Sequence, residues 1–205
     1  IYISQNAEHE SGLTLYQTLA HEAFPGHMYS YNFRRQNPYP ALQEQLKCMG
    51  YSEGWAVYAE IAAAEWIEEC ARRNLYLQQV YQKIYDDFVL CQIDIEIQVM
   101  GWTVEDIETF SEEAYGGSSR QAAETVMKML INNPGVYQPY VVGYFELEDL
   151  RQKYCTEMGV PEKEFIEAWH SCGQAPFYIV DGYMNRVFGA RTDEEILESE
   201  SVYYR

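Results

Sequence analysis

The sequence predicts a mostly α-helical protein. Apolar residues recur at intervals of three and four along most of the chain, which is the pattern of helices with one buried face. Residues that favour helix N-termini precede several of these segments, and Pro and Gly residues separate them. One segment, residues 1–4, is assigned instead to a short edge strand at the N-terminus.

The first half of the chain is expected to contain long helices. Residues 13–35 have helical periodicity that is interrupted at Pro25 and Gly26, because proline lacks a backbone donor and glycine permits irregular dihedral angles. Ser52 is placed as the N-cap of the next long helix, which extends through Arg73.

The second half is also expected to be helical. An apolar stripe predicts one long helix over residues 75–100. Capping sequences then indicate helix starts at three positions, Thr103, Ser118 and Thr192. Two further helices are expected between Pro and Gly breaks, over residues 140–158 and 161–171.

The length allows one large domain or two small ones, and the absence of a repeat or a Gly/Ser linker favours one folded domain that spans residues 1–205. The chain is 47% hydrophobic and 22% charged, as expected for a packed globular protein rather than a disordered one. The chain begins with Ile1 rather than Met, so we expect it to be the C-terminal part of a longer protein. The missing N-terminal part would then pack against this domain.

Charge and hydropathy limit the classes of partner. Because 32 acidic residues outnumber 14 basic ones, the net charge is −18, which argues against nucleic acid as a ligand. No apolar run approaches the ~20 residues that span a bilayer, so we expect no transmembrane segment.

The cysteine pattern favours a reducing compartment. Five cysteines are scattered without CxxC spacing, so we interpret each as a small buried residue with a free thiol: Cys48, Cys70, Cys91, Cys155 and Cys172. This usage favours the cytoplasm, while a signal or lipoprotein anchor in the missing N-terminal region is left open.

The segment from His21 to His27 has the residue types of a zinc peptidase site. A His-Glu pair, His21 and Glu22, followed by a second histidine on the same helix supplies two ligands and a general base. Six residues of unbroken helix would place the two imidazoles about 120° apart, too far to share one ion. The break at Pro25-Gly26 removes this objection, because an irregular turn can bring His27 back towards His21.

A third ligand is available in the next helical segment. Glu53 is followed by Gly54, whose small size allows two helices to approach closely. Glu60 lies seven residues later on about the same helix face, where it can orient an imidazole. Taken alone, each acid is interpreted as a solvated helix residue in a very acidic protein.

These segments resemble a known bacterial family. His21-Glu-Ala-Phe-Pro-Gly-His27 and Glu53-Gly-Trp-Ala-Val-Tyr-Ala-Glu60 are similar to motifs of the family catalogued as domain of unknown function 885, which is grouped with gluzincin-type zinc metallopeptidases. The glutamate of the second motif resembles the third metal ligand of zinc aminopeptidases. Residues 134–143 and 165–176 resemble two further blocks of the family.

The resemblance implies a helical peptidase domain that contains one Zn²⁺ ion. The ligands would be His21, His27 and Glu53, leaving a fourth position for a water molecule whose pKa the zinc lowers. Glu22 would act as general base on that water, with a peptide as substrate. Tyr140, which lies in a family block, is the candidate donor to the oxyanion of the tetrahedral intermediate.

Two alternatives remain open at this point. The chain departs from the family pattern at five positions: Ser30, Leu90, Glu96, Gln98 and Ile166. These departures favour a catalytically silent domain that uses the fold for binding or structure, while the presence of Glu22 opposes it. A purely structural metal site is the other alternative, and it would require a fourth protein ligand.

Overall fold

The structure is a computed structural model that describes residues 12–41 and 43–189. Within these residues the chain forms α-helices joined by turns and short 3₁₀ and π segments, without a β-strand. The prediction of a mostly α fold is therefore confirmed. The edge strand expected at residues 1–4 and the helix start expected at Thr192 lie outside the described residues.

The helices follow one another closely along the chain. In order they are α1 (Gly12–Glu22), α2 (His27–Gln36), α3 (Met49–Ala62), α4 (Cys70–Ile95), α5 (Val104–Tyr115), α6 (Arg120–Asn132), α7 (Gln138–Arg151), α8 (Glu162–Cys172) and α9 (Phe177–Phe188). A π-helical segment extends α4 through Met100, and another extends α7 through Glu157. None of the described helices combines the length and hydropathy needed to cross a bilayer.

The described residues divide into two compact units. The first contains residues 12–31 and 49–147, and the second contains residues 32–41, 43–48 and 148–189. Helices α1 and α3 to α6 therefore belong to the first unit, and α8 and α9 belong to the second. That residues 1–205 act as one C-terminal catalytic domain stays a prediction.

Two apolar clusters form the core of the first unit. One is centred on Tyr76 and Val80 of α4, against which side chains of α1, α3 and α7 pack. The other is centred on Ile93 of α4 and Leu130 of α6. Helix α4 therefore runs through both clusters and supports the other helices of this unit.

Three glycines allow α3 and α7 to cross at very short distance. A Cβ atom on Gly54 would overlap the backbone carbonyl of Gly143, and one on Gly143 would overlap the carbonyl of Gly50. The sequence predicts a close helix approach at Gly54, and the structure shows that the partner helix is α7. This crossing fixes α7, and with it Tyr140, against the helix that carries Glu53.

Hydrogen bonds join the elements of the second unit at two places, the C-terminal end of α8 and the Asp181 carboxylate of α9. The Tyr39 hydroxyl donates to the carbonyl of His170, and the Gln43 amide donates to that of Cys172. Lys153 and the Tyr154 hydroxyl both bond to the Asp181 carboxylate of α9, at 2.6 and 2.8 Å. These contacts are structural in character and involve none of the predicted site residues.

Several predicted helix boundaries differ from the structure. Ser52 lies inside α3 rather than at its N-cap, and α3 ends at Ala62 instead of continuing to Arg73. After Ala62 the chain tightens into a 3₁₀ turn, where the Tyr16 hydroxyl donates to the carbonyl of Ala63 at 2.8 Å. This tertiary hydrogen bond satisfies a carbonyl that a continuing helix would have used.

Other predicted helix boundaries lie within one residue of those in the structure, as at the starts of α5 and α6. The helix start at Thr103 is confirmed, and Thr103 forms a capping box with Asp106. The N-cap of α6 is Ser119 rather than Ser118. Helix α9 has no counterpart among the predicted elements. The five cysteines are free, but only Cys91 and Cys172 are buried, so the expectation of burial is wrong for the exposed Cys70.

Candidate metal centre

An irregular turn separates the two histidine-bearing helices. Helix α1 ends at Glu22 and α2 begins at His27, so the predicted break at Pro25-Gly26 is confirmed. The turn contains a cis peptide bond before Pro25, and the Gly26 amide donates to the carbonyl of Ala20 at 2.9 Å. A Cβ atom on Gly26 would overlap the carbonyl oxygen of His21, so only glycine fits at this position.

The turn is clamped from α3. The Trp55 indole N–H lies within hydrogen-bond distance of the carbonyls of Pro25 and Gly26, at 3.1 and 3.3 Å. Trp55 follows Glu53 by two residues, so the helix that supplies the acid also holds the turn in place. As a result, the rings of His21 and His27 lie 4.9 Å apart at an interplanar angle of 89°.

Glu53 completes a cluster of three ligand atoms. Its Oε2 lies 3.4 Å from Nε2 of His21 and 3.4 Å from Nε2 of His27. The three atoms all lie within 4.8 Å of one another, and His21 and Glu53 are buried while His27 is half-buried. The residues that the sequence predicts as ligands are therefore brought together in one place.

These distances fit a tetrahedral zinc site. Nitrogen and oxygen ligands about 2.0–2.1 Å from zinc lie about 3.3–3.4 Å from each other in a tetrahedron. Both edges that include Glu53 have this length. The third edge, between the two imidazoles, is no longer than 4.8 Å.

Glu60 lies behind His21. Its Oε1 is 2.6 Å from Nδ1 of His21, the nitrogen that does not face Glu53, and the residue is only 1% exposed. The predicted role of Glu60 in orienting an imidazole agrees with this contact, and the imidazole is that of His21. A carboxylate in this position is typical of histidines that bind metal, because it fixes both the ring and its tautomer.

The charges of the cluster are strongly coupled. Burial disfavours the charged form of His21, but hydrogen bonds with Glu53 and Glu60 outweigh it and raise the pKa of His21 to about 9. Burial also disfavours the ionised form of Glu53, yet the two histidines lower its pKa to about 2. Two carboxylates thus create a negative environment that attracts a positive charge to this position.

The two predicted catalytic residues lie at the edge of the cluster. Glu22 is the last residue of α1 and is exposed. Tyr140 stacks on His21 with 6.1 Å between the ring centroids. Burial raises the pKa of Tyr140, with a smaller contribution from the charge of Glu53, so its hydroxyl stays protonated and able to donate.

Sequence reasoning missed three polar residues around the cluster. Gln17 bonds to Glu60, Gln79 bonds to Gln17, and the Lys83 ammonium lies 5.5 Å from the centroid of the Tyr140 ring. Gln17 lies four residues before His21, on the same face of α1, and a polar residue at that position was the available signal. Gln79 and Lys83 belong to no recognisable motif.

The other histidines take no part in the cluster. His170 is buried in the second unit, and burial lowers its pKa to about 3, as expected for a core residue. His9 lies outside the described residues.

Comparison with known proteins places the chain in a family. The sequence profile described as "Bacterial protein of unknown function (DUF885)" matches residues 2–182. The chain belongs to this family. A search of curated proteins found no significant match for this DUF885 chain.

Two solved structures share the fold of the DUF885 chain. One is named a "putative lipoprotein" from Colwellia psychrerythraea, with a TM-score of 0.71 and 22% identity over 88% of the chain. The other is named a "putative lipoprotein of unknown function" from Shewanella oneidensis, with a TM-score of 0.67 and 25% identity over 85% of the chain. The DUF885 chain covers only 31% and 32% of the lengths of these two proteins.

Proposed function

We propose that this chain contains the metal centre of a zinc-dependent peptidase. The observation that supports the proposal most directly is the ligand geometry, with Glu53 at tetrahedral-edge distance from both His21 and His27. Glu22, adjacent to His21 in sequence, supplies a carboxylate that no described ion pair engages.

The chemistry of the donors favours zinc. Two imidazole nitrogens and one carboxylate oxygen are a common ligand set for catalytic zinc, which keeps a fourth position open. A bound zinc ion would supply a Lewis acid that polarises a carbonyl group and lowers the pKa of water. The carboxylate of Glu60 would hold the Nδ1 proton of His21, so that Nε2 offers its lone pair to the cluster.

The protein side chains would carry out the proton transfers of peptide hydrolysis. Glu22 would accept a proton as the water oxygen bonds to the carbonyl carbon, and would pass it to the amine as the C–N bond breaks. The Tyr140 hydroxyl would donate a hydrogen bond to the oxyanion, and as a neutral donor it avoids the cost of burying a second cation. The proposed substrate class is a peptide.

The experiment measures bound metal and hydrolysis in the same preparations. We expect the full-length protein, stripped with a chelator and reloaded, to retain about one zinc per chain. His21→Ala, His27→Ala and Glu53→Ala should each lose it, whereas Glu65→Ala, which removes an exposed acid on the turn after α3, should not. Full zinc content in all three ligand variants would contradict the proposal.

The catalytically silent alternative predicts a different outcome in the same samples. Ser30 and Gln98 stand where the family pattern has Gln and His, and these departures favour it because they change side chains expected to contact a substrate. It predicts stoichiometric zinc that depends on the three ligands but no cleavage of any member of a peptide library. Cleavage that is lost together with the metal would exclude it.

A further inference from the structure

A chain of side-chain hydrogen bonds leads from α4 to the back of His21. Gln79 Nε2 donates to Gln17 Oε1 at 2.7 Å, and Gln17 Nε2 donates to Glu60 Oε2 at 2.5 Å. The other carboxylate oxygen of Glu60 lies 2.6 Å from Nδ1 of His21. The chain thus links three helices, α4, α1 and α3, to one proposed metal ligand.

The amide groups give this chain a fixed direction. Because the Gln17 oxygen accepts from Gln79, the Gln17 NH₂ group faces Glu60, and an amide nitrogen can only donate. Glu60 therefore acts as an acceptor at Oε2 and remains free to accept at Oε1. Nδ1 of His21 lies against that oxygen, so Nε2 is the ring nitrogen that faces Glu53 and His27.

Most of the side chains that form this series of hydrogen bonds are buried, so losing one of the bonds costs stability. Glu60 is 1% exposed and Gln17 is 7% exposed, so neither group has free access to water. A buried carboxylate oxygen that accepts no hydrogen bond destabilises the fold. Gln17 donates to Oε2 of Glu60, the oxygen that does not contact His21. The backbone of Glu60 is also fixed, because the Tyr76 hydroxyl donates to its carbonyl at 2.7 Å.

Packing alone does not explain a glutamine at position 17. The position is buried beside an apolar cluster that includes Leu13 and Tyr16 of the same helix, where an aliphatic side chain would need no polar partner. The amide donor of Gln17 instead meets the Glu60 carboxylate. We infer that Gln17, anchored by Gln79, is a positioning residue that holds Glu60 and His21 in the metal-binding arrangement; this inference rests on the proposed metal centre.

The experiment removes the amide while keeping the volume of the side chain. Gln17→Met and Gln79→Met are compared with Gln78→Met, which makes the same change at an exposed position of α4. Zinc affinity is measured by competition with a chromophoric chelator. The visible spectrum of each protein saturated with Co²⁺ reports the ligand geometry independently of enzymatic activity.

We expect Gln17→Met to weaken zinc binding by up to about 10-fold and to alter the Co²⁺ bands, since loss of a group that bonds directly to a ligand costs about 10–100-fold and Gln17 acts one hydrogen bond further out. Gln79→Met should change both in the same direction but less, because the bond between Gln17 and Glu60 remains. Gln78→Met should match the wild type in both measurements. Circular dichroism of the metal-free proteins checks that each variant is folded.

The outcomes separate this inference from the function on which it rests. If the wild-type protein binds no zinc, the metal centre and the positioning role are both wrong. If the wild type binds zinc and Gln17→Met has the same affinity and Co²⁺ spectrum, the positioning role alone is wrong. If Gln17→Met does not fold, Gln79→Met decides, and wild-type behaviour of that variant overturns the inference.

Discussion

Glu22 is the residue for which the proposed function predicts different effects on hydrolysis and on metal binding. It follows His21 directly but is exposed, whereas the three proposed ligands and Glu60 are buried or half-buried. We expect Glu22→Gln to retain zinc and to abolish peptide cleavage, because an amide of nearly equal size cannot accept the proton of the attacking water. Metal content and turnover are measured on one preparation, with Glu65→Gln as the control. Undiminished turnover in Glu22→Gln would remove Glu22 from the mechanism.

Tyr140 is expected to act on the transition state rather than on substrate binding. Its ring stacks on His21, and burial raises its pKa, so it presents a neutral hydroxyl beside the cluster. We expect Tyr140→Phe to lower kcat by about 10²–10³-fold with little change in KM, as for other oxyanion donors. The nearby Tyr144→Phe is the control. A kcat within twofold of the wild type in Tyr140→Phe would show that Tyr140 only packs against His21.

At the scale of single residues, spacing carried most of the information about the site. The proximity of His21 and His27 was predictable because a His-Glu pair, a Pro-Gly break and a second histidine occur within seven residues. Glu60 was predictable because seven residues return a helix to nearly the same face as Glu53. Gln17 was not predicted, since its role depends on a bond to a residue 43 positions away, and no local pattern encodes that contact.

Among the helices, the crossing of α3 and α7 is the contact on which the position of Tyr140 depends. A Cβ atom on Gly143 would overlap the carbonyl of Gly50, so alanine there must push α7 away. We expect Gly143→Ala to destabilise the fold by about 1–3 kcal/mol, as overpacking typically does. Chemical denaturation measures the change in the free energy of unfolding.

The control for this prediction is another helical glycine. A Cβ atom on Gly182 of α9 would have nothing within 4 Å, so alanine meets open space there. Gly182→Ala should therefore stabilise by up to about 1 kcal/mol through helix propensity alone. The two substitutions are chemically identical, and equal effects of the same sign would show that the crossing is not tightly packed.

Helix boundaries were predictable only where local chemistry sets them. The start of α5 follows from the Thr103 and Asp106 side chains, which lie three residues apart and cap each other's backbone amides. The end of α3 follows instead from the distant Tyr16 hydroxyl, which bonds to the Ala63 carbonyl across 47 residues. Apolar periodicity continues past that point, so the pattern alone extends the helix too far.

For the molecule as a whole, the periodicity of apolar residues predicted the class of fold but not its division into two units. Helical periodicity throughout the chain indicated a mostly α protein, which the structure confirms. Each unit is built from separate stretches of sequence. Residues 32–41 and 43–48 belong to the second unit, although the residues described on both sides of them belong to the first. No change in composition and no linker marks these crossings, so a sequence pattern could not reveal them.

The excess of acidic residues should make the stability of the protein depend on salt concentration. Even if each of the 14 basic residues paired with an acid, 18 acids would remain without a cationic partner, so repulsion outweighs attraction. We expect the Tm of the metal-free protein at neutral pH to rise as the NaCl concentration increases. Most of the rise should occur between about 0.01 M and about 0.15 M, because the Debye length falls from about 30 Å to about 8 Å over that range. Circular dichroism in the presence of a chelator measures Tm without interference from bound metal. A Tm that falls over this range would mean that ion pairs such as Lys153–Asp181 and Arg151–Glu148 contribute more to stability than the excess of acids removes.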